Sequence, residues 1–500
     1  MGFEHLIEGF RVAFTATNLL GCFLGVLVGT MVGVLPGLGP MAAMTIMLSF
    51  TAPLGATTAL ITLAGVWYGA QYGGSTTSIL VNIPGENSSV ITCIDGYAMA
   101  RKGRAGSALA VSAVGSFFAG TVGILIMQLA APPIGQAALK FGPPEYLSVM
   151  IFALVALSTL VGDNPLKGSF MVAIGILFST VGVDRMFGVK RFTFGIPAFM
   201  YGIDIVPICV GLFGIGEILQ TALNPYTPPP MRSVHFRDLY PNRDESRRSL
   251  GPIARGTILG FFLGLLPGTP AVLASFTSYS LEKDISPRRR EFGQGAIEGV
   301  AGPESANNSA VIGGLIPLLC LGLPFSPSAT LLLAGLEMND IVPGPTLITD
   351  KPEIFWGFIA MMYVGNFMLL ILNLPLVGIF ARLAILRPAI LLPFVVIICL
   401  LGVYAVRLSM FDVYVMLFFG VLGLLLRRAS FPLAPLVVGM VLGSQLEDNL
   451  RLTLKMFQGD LFAIFLRPIS AVILVALPLY ILAMRRVRKR ILISGLGSND

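Results

Sequence analysis

Apolar residues run along this chain in long stretches that are nearly free of charge, at Leu147–Val161, Phe355–Phe380, Leu391–Val406, Tyr414–Leu426 and Leu461–Met484. Several reach the ~20 residues that a helix needs to cross a hydrocarbon core. The pattern predicts an all-α polytopic membrane protein with about ten to twelve membrane segments. Polar positions do not alternate with apolar ones, as they would in strands. They gather in short clusters, and the 57 Gly and 34 Pro gather with them. Such clusters inside apolar sequence predict broken or re-entrant helices more than uniformly close packing.

Charge sets the expected orientation. The segment Met231–Arg255 carries Arg232, Arg237, Arg243, Arg247, Arg248 and Arg255, and the tail Arg485–Arg490 reads RRVRKR. Both are expected on the cytoplasmic side, with Arg101–Arg104 and Arg288–Arg290, because basic loops stay inside. Gly256–Leu281 then lies between two cytoplasmic clusters although it is about one span long. A re-entrant hairpin broken at Leu266-Pro267-Gly268 resolves the conflict, since Pro and Gly end a helix in mid-membrane.

A similar break occurs earlier. Gly29-x-x-x-Gly33-x-Leu35-Pro36-Gly37 matches Gly260-x-x-x-Gly264-x-Leu266-Pro267-Gly268 at an offset of 231. Ile83-Pro84 matches Ile316-Pro317 at 233, and Pro207-x-x-Val210-Gly211 matches Pro435-x-x-Val438-Gly439 at 228. The expected organisation is a first transmembrane repeat over 1–226, a basic linker over 227–255, a second repeat over 256–460, and an extra span with a basic tail over 461–500. That extra span is needed to return the tail to the cytoplasm, so the repeats are expected to be inverted. Inverted repeats with broken helices are a common plan for secondary transporters.

Polar residues inside apolar sequence are the candidates for chemistry, because each is costly in lipid. One cluster is Gly73, Gly74, Ser75, Thr76, Thr77 and Ser78, followed by Asn82-Ile83-Pro84-Gly85-Glu86. The other is Glu298-Gly299, then Pro303-Glu304-Ser305-Ala306 with Asn307, Asn308 and Ser309. The 233 offset pairs Gly74 with Asn307 and Ser75 with Asn308. Helix N-termini at mid-membrane, small residues and neutral donors suit a carboxylate. Gly73–Ser78 and Asn307–Ser309 are therefore the expected substrate-binding residues. Glu298 and Glu304 are expected to bind the coupling cation, Na⁺ or H⁺. Pro36, Gly37, Pro267 and Gly268 are read as architectural breaks.

Composition narrows the alternatives. At 55% hydrophobic and 12% charged residues, the chain falls outside the disordered class, and a soluble domain this apolar would expose large sticky patches. The net charge of +7 sits in loops and gives no nucleic-acid surface. Cys22, Cys93, Cys209, Cys320 and Cys399 lie apart in apolar sequence and read as inert buried thiols. With only His5 and His235, a His-rich metal site and HExxH are excluded, so no metal beyond Na⁺ and no cofactor is expected. The start, Met1–Arg11, lacks a basic n-region and a cleavage site, so no cleavable signal peptide is expected. An ion channel has no need of paired broken helices, and an intramembrane enzyme would need a catalytic pair that the sequence does not supply.

These motifs resemble the large transmembrane subunit of the tripartite tricarboxylate transporters. The likeness rests on Leu35-Pro36-Gly37-Leu38-Gly39-Pro40, the run from Tyr72 to Leu109, Arg191-Phe192-Thr193-Phe194-Gly195, Glu298-Gly299-Val300, Pro303–Asn308 and Pro343-Gly344-Pro345. The resemblance implies an ion-driven symporter in a bacterial inner membrane. It further implies a periplasmic solute-binding protein that delivers a small carboxylate and a small membrane subunit. The assembly state is left open, a homodimer included. Thr269-Pro270 after the second break, and Phe325-Ser326-Pro327 after Leu323-Pro324, depart from the family pattern near the expected pocket.

Overall fold

A computed structural model of the chain describes residues 2–35, 39–160, 164–184, 186–223, 240–383 and 388–493. Pro36 and Gly37, the first expected break, lie outside the described residues. The chain is all-α apart from one short hairpin, as the apolar pattern predicts. The first half runs through α1 (Gly2–Ala13), α2 (Ala16–Val34), α3 (Pro40–Thr51), α4 (Ala56–Val81), α5 (Val90–Arg101), α6 (Ala105–Ala138), α7 (Pro143–Leu160) and α8 (Pro165–Ser179). An antiparallel hairpin of β1 (Gly182–Val183) and β2 (Lys190–Arg191) follows. Then α9 (Ile205–Cys209) continues through one turn of π-helix, Val210–Ile215, into α10 (Gly216–Leu223).

The second half contains α11 (Arg243–Gly264), α12 (Pro270–Ile285), α13 (Glu298–Gly313), α14 (Leu315–Leu321), α15 (Pro327–Glu337), α16 (Leu347–Asp350) and α17 (Pro352–Asn373). It ends with α18 (Val377–Leu383), α19 (Pro388–Arg407), α20 (Met410–Arg428), α21 (Ala434–Met456) and α22 (Pro468–Ile493). Among the described residues, Ala16–Val34, Ala105–Ala138, Ile205–Leu223, Pro352–Asn373 and Met410–Arg428 are long and apolar enough to cross a membrane. Five shorter apolar helices accompany them.

The segment read as a basic loop is in part helical. Asn242 starts α11 with a capping box, its side chain accepting the Glu245 N–H at 2.8 Å while the Glu245 carboxylate accepts the Asn242 N–H at 2.7 Å. Helix α11 therefore runs across the Arg255–Gly256 boundary drawn from charge alone. Its arginines are tied to neighbouring helices, Arg248 to Glu298 and Arg255 to Glu282.

Small residues explain the central packing. Gly25, Gly29 and Gly33 of α2 lie against the backbone of Thr62, Val66 and Ala70 of α4, where any methyl would overlap a carbonyl oxygen. Gly256, Gly260 and Gly264 of α11 lie in the same way against Gly302, Ala306 and Ala310 of α13. Close backbone approach through small residues four apart is the usual way apolar helices associate without a hydrophobic driving force. The α2–α4 and α11–α13 pairs are thus packed in the same way.

The pairing of the repeats differs from the expectation in one respect. After α4 the chain breaks at Asn82 (φ 58°) and turns through Ile83-Pro84, and after α14 it breaks at Gly322 (φ 71°) and turns through Leu323-Pro324. Ile83-Pro84 therefore corresponds to Leu323-Pro324, because Ile316-Pro317 lies inside α14. In this register Gly73 matches Gly313 and Gly74 matches Gly314, while the position equivalent to Asn307 is Trp67. The offset grows because α12, at 16 residues, and the loop after it are longer than α3, at 12 residues, and its connection.

The halves interlock. Helix α5 of the first half packs on α12 and α13 of the second, whereas α15 packs on α3 and α4. Further along, α8 pairs with α21, Gly175 against the Leu436 carbonyl and Gly439 against that of Val172. The helix through Val210–Ile215 pairs instead with α20, Gly211 against the Met416 carbonyl. The helices carrying Pro207-x-x-Val210-Gly211 and Pro435-x-x-Val438-Gly439 thus hold reciprocal positions. The breaks of both halves are brought to a shared central region.

Candidate functional site

Four helix starts converge on one cavity of about 500 Å³. From the first half come Gly39 and Pro40, which open α3, and Pro84 to Ser88, which lead into α5. From the second half come Thr269 and Pro270, which open α12, and Ser326 to Ser328, which open α15. Pro40, Pro270 and Pro327 each fall in the first turn, where a missing N–H costs nothing and the fixed φ suits the helix. Ser326 caps α15 by accepting the Ala329 N–H at 3.2 Å. The Gly268 N–H donates to the Phe325 carbonyl at 2.8 Å, joining the two breaks of the second half. Gly268 has φ 130°, a conformation few side chains tolerate.

Helix starts present unpaired N–H groups and the positive ends of helix dipoles. Four of them around one space favour an anion. Trp67 and Gln71 of α4 and Val311 of α13 line the cavity between the breaks, with Gln71 and Val311 at equivalent repeat positions. Phe213, in the π-helical turn, adds an aromatic wall beside Phe431 to Ala434. A π-turn inside an α-helix often marks a functional site. Arg427 and Glu217 are charged residues on this wall; they pair with each other, and Arg427 Nη2 also reaches the Leu212 carbonyl at 3.5 Å.

A buried polar cluster lies among α4, α5, α6 and α13. Glu304, fully buried on α13, accepts hydroxyl hydrogen bonds from Ser75 of α4 at 2.6 Å and Ser112 of α6 at 3.2 Å, and a third from Thr92 of α5. No Lys, Arg or His pairs with this carboxylate among the described residues. Asn308 donates to Ser116 at 2.8 Å and to the Glu304 carbonyl at 3.0 Å. Neither amide atom of Asn307 nor the Ser309 hydroxyl finds a hydrogen-bond partner among the described residues.

None of Gly73, Gly74, Ser75, Thr76, Thr77, Ser78, Asn307, Asn308 or Ser309 lines the cavity. The hydroxyls of Thr77 and Ser78 donate back to the Gly74 carbonyl at 3.1 and 3.0 Å, and Ser78 also bonds Ser89 at 2.9 Å. Gly73 lets α4 meet α2, and Gly74 makes room for Gly85 and Glu86. Of the two acids, Glu304 sits in the buried cluster. Glu298 stands at the start of α13, where Arg248 grips both its oxygens at 2.7 and 2.8 Å. Pro267 accepts a hydrogen bond from the Tyr480 hydroxyl at 2.8 Å and, like Gly268, does not line the cavity.

Sequence reasoning passed over Trp67, Gln71, Phe213, Glu217 and Arg427. Glu217 did leave a signal, as an acid inside the otherwise apolar stretch Ile205–Leu223. The two departures from the family pattern are informative, since Thr269, Pro270, Ser326 and Pro327 all line the cavity.

Interlocked helical halves whose breaks surround a central cavity define a polytopic membrane protein built like the carriers of small solutes. A family model described as the tripartite tricarboxylate transporter TctA family matches residues 19–438. The chain belongs to this family, which makes it a transporter subunit by descent and implies partner subunits. It is 46% identical over 471 residues to an uncharacterized 52.8 kDa protein in the TAR-I ttuC' 3' region of Agrobacterium vitis, covering 94% of each chain. It is also 46% identical over 215 residues to an uncharacterized protein in the TAR-II ttuC' 3' region of the same organism, covering 43% of this chain and 89% of that one. No solved structure matches the chain.

Proposed function

We propose that this chain is the large membrane subunit of a tripartite secondary transporter that imports tricarboxylates or related small organic acids by cation symport. A periplasmic solute-binding protein supplies the substrate, and a small membrane subunit completes the complex in a bacterial inner membrane. The tail is cytoplasmic and the halves are inverted. The observation that carries this reading is the convergence of four helix starts on one cavity. That geometry neutralises carboxylates with backbone dipoles and needs few buried cations.

Within this reading, Gln71, Thr269, Ser326, Ser328 and Arg427 face the substrate. Gly73–Ser78 and Asn307–Ser309 form the layer that holds the wall in place, and the unpaired Asn307 amide and Ser309 hydroxyl are the groups of that layer free to take a ligand. Glu304 is a coupling carboxyl. Glu298, gripped by Arg248, ties α13 to α11. A buried carboxyl with only hydroxyl neighbours must hold a proton or attract a cation, which suits coupling.

Uptake into proteoliposomes tests this. They would contain the complete complex and radiolabelled citrate, with Na⁺ and pH gradients imposed separately. Accumulation that follows one gradient is expected. No accumulation of citrate or any other organic acid under either gradient, from a folded complex with a loaded binding protein, would refute it.

A further inference from the structure

Glu86 is a second buried acid, and it stands where the substrate would go. It lines the cavity and is only 9% exposed. Its carboxylate caps the short helical turn that leads into α5, accepting the Ser89 N–H, while the Glu86 N–H donates to Ser89 Oγ at 3.4 Å. One of the four helix starts is therefore already occupied by a carboxylate of the chain itself.

Glu86 shares a hydrogen bond with Ser88, and no Lys, Arg or His pairs with its carboxyl among the described residues. Ser88 has one hydroxyl hydrogen and two acceptors in reach, Gln71 Oε1 at 3.0 Å and Glu86 Oε1. A neutral Glu86 donates to Ser88 Oγ and leaves the Ser88 hydrogen for Gln71 Oε1, whereas an ionised Glu86 accepts that hydrogen while the turned Gln71 amide donates to Ser88 Oγ, so the cluster accommodates both charge states. Glu86 also lies close to the other buried acid. Its side chain touches the Cα face of Gly74, and the next residue, Ser75, donates to Glu304. The two carboxyls thus flank residues 74 and 75 of α4. The other ionisable groups facing them are Cys93 of α5 and Tyr72 of α4, with Glu217 and Arg427 across the cavity, which pair with each other.

We infer that Glu86 is the proton-loading residue of this transporter, and that substrate and proton bind together because an anion enters the cavity only when Glu86 is neutral. The inference rests on the transport reading above. A proton from water on the outer side joins the Glu86 carboxylate, the neutral acid turns its O–H to Ser88, and the vacated positive helix end accepts a substrate carboxylate. After the cavity opens inward the substrate leaves, and the proton returns to water on the inner side. Like charges sharing a low-dielectric site set the coupling, without direct contact between proton and substrate.

The test compares wild type with Glu86→Gln in the reconstituted complex, using radiolabelled citrate. Gln keeps the cap, because its Oε1 still accepts the Ser89 N–H, and a thermal melt checks folding. For wild type without Na⁺, one pH unit of gradient, alkaline inside, should drive accumulation of up to about tenfold per proton. Half-saturation should rise with pH. For Glu86→Gln, gradient-driven accumulation should vanish, and half-saturation in citrate exchange should be independent of pH and lower than wild type at alkaline pH. Wild-type accumulation driven by Na⁺ alone, or a pH-dependent Glu86→Gln, would overturn the inference and leave the transport reading intact. Absence of citrate exchange by wild type would overturn both.

Discussion

Gly73 and Gly313 meet the neighbouring helix in the same way. A methyl on Gly73 would overlap the carbonyl of Thr30, and one on Gly313 would overlap that of Phe261. Each glycine closes the seam of its own half next to the break that reaches the cavity. The pair fixes the register in which the two halves are equivalent, and with it the position of the site between them.

The seam is expected to tolerate no added carbon. Gly29→Ala would push a methyl into the Val66 carbonyl, with backbone on both sides and nothing flexible to yield. Overpacking of this kind costs about 1–3 kcal/mol. Thermal melting in detergent should fall accordingly. Gly39→Ala, where a methyl meets nothing within 4 Å and φ is −73°, should melt like wild type.

Glu304 separates a coupling role from a structural one through two substitutions. Glu304→Gln keeps an acceptor for Ser75 and Ser112, and its amide can donate to the Thr92 hydroxyl, so it should fold, but it cannot change charge. Gradient-driven citrate uptake should fall at least roughly a hundredfold, the size expected when about 3 kcal/mol of coupling is removed. Glu304→Leu leaves Ser75, Thr92 and Ser112 without their acceptor and should lower melting as well, by about 1–3 kcal/mol for each stranded hydroxyl. Equal uptake by Glu304→Gln and wild type would remove Glu304 from coupling.

Arg427 and Glu217 should behave as a unit. Arg427→Gln leaves the Glu217 carboxylate without its partner in the cavity wall, so the single variant should be less stable and transport poorly. Adding Glu217→Gln should restore part of the stability, with a coupling energy of about 1–3 kcal/mol in a double-mutant cycle. Uptake should stay weak in the double variant, because the cation facing the substrate is still missing. Full recovery of uptake would assign the pair to structure alone.

Acid should loosen the hairpin between α8 and α9. Hydrogen bonds from Arg451, at 3.2 and 2.8 Å, with the N–H groups of Met186 and Phe187, hold the Asp184 carboxyl well below the usual carboxylate range despite partial burial. A depressed value in the folded state stabilises the protein above the unfolded value of about 3.9, and the gain is lost as pH falls through the folded value. Asp184→Asn should therefore be destabilised by a constant amount above about pH 5, with the difference from wild type narrowing below about pH 4. Protease cleavage in 182–201 followed against pH reads this directly.

Much of the architecture is legible in the sequence because the physics behind it is local. Apolar runs give helices, and Gly29, Gly33, Gly260 and Gly264 reveal the seams by their four-residue spacing. The second break at Leu266-Pro267-Gly268 is likewise a local signal. The site is less legible because its walls come from distant segments. Gln71 reads as one more polar residue in α4 until α12 and α15 arrive beside it, and nothing near Arg427 in sequence announces Glu217. Hydroxyl-rich stretches drew attention as ligand contacts, yet Ser75, Thr77 and Ser78 turn inward to Glu304, Gly74 and Ser89. Polarity in a membrane helix marks a cost that has been met, without saying whether a ligand or a neighbour meets it.

The interlocking of the halves also orders events during synthesis. The face of α8 at Gly175 is covered by Leu436 and Met440, which leave the ribosome 261 and 265 residues later. At about 5–20 residues per second that is a wait on the order of tens of seconds. Through that interval the first half sits in the bilayer with its small-residue groove open and α5 without the hairpin it rests on. The newborn chain thus passes through a long-lived, half-assembled state, in which lipid or a membrane chaperone must hold the place that α21 later takes.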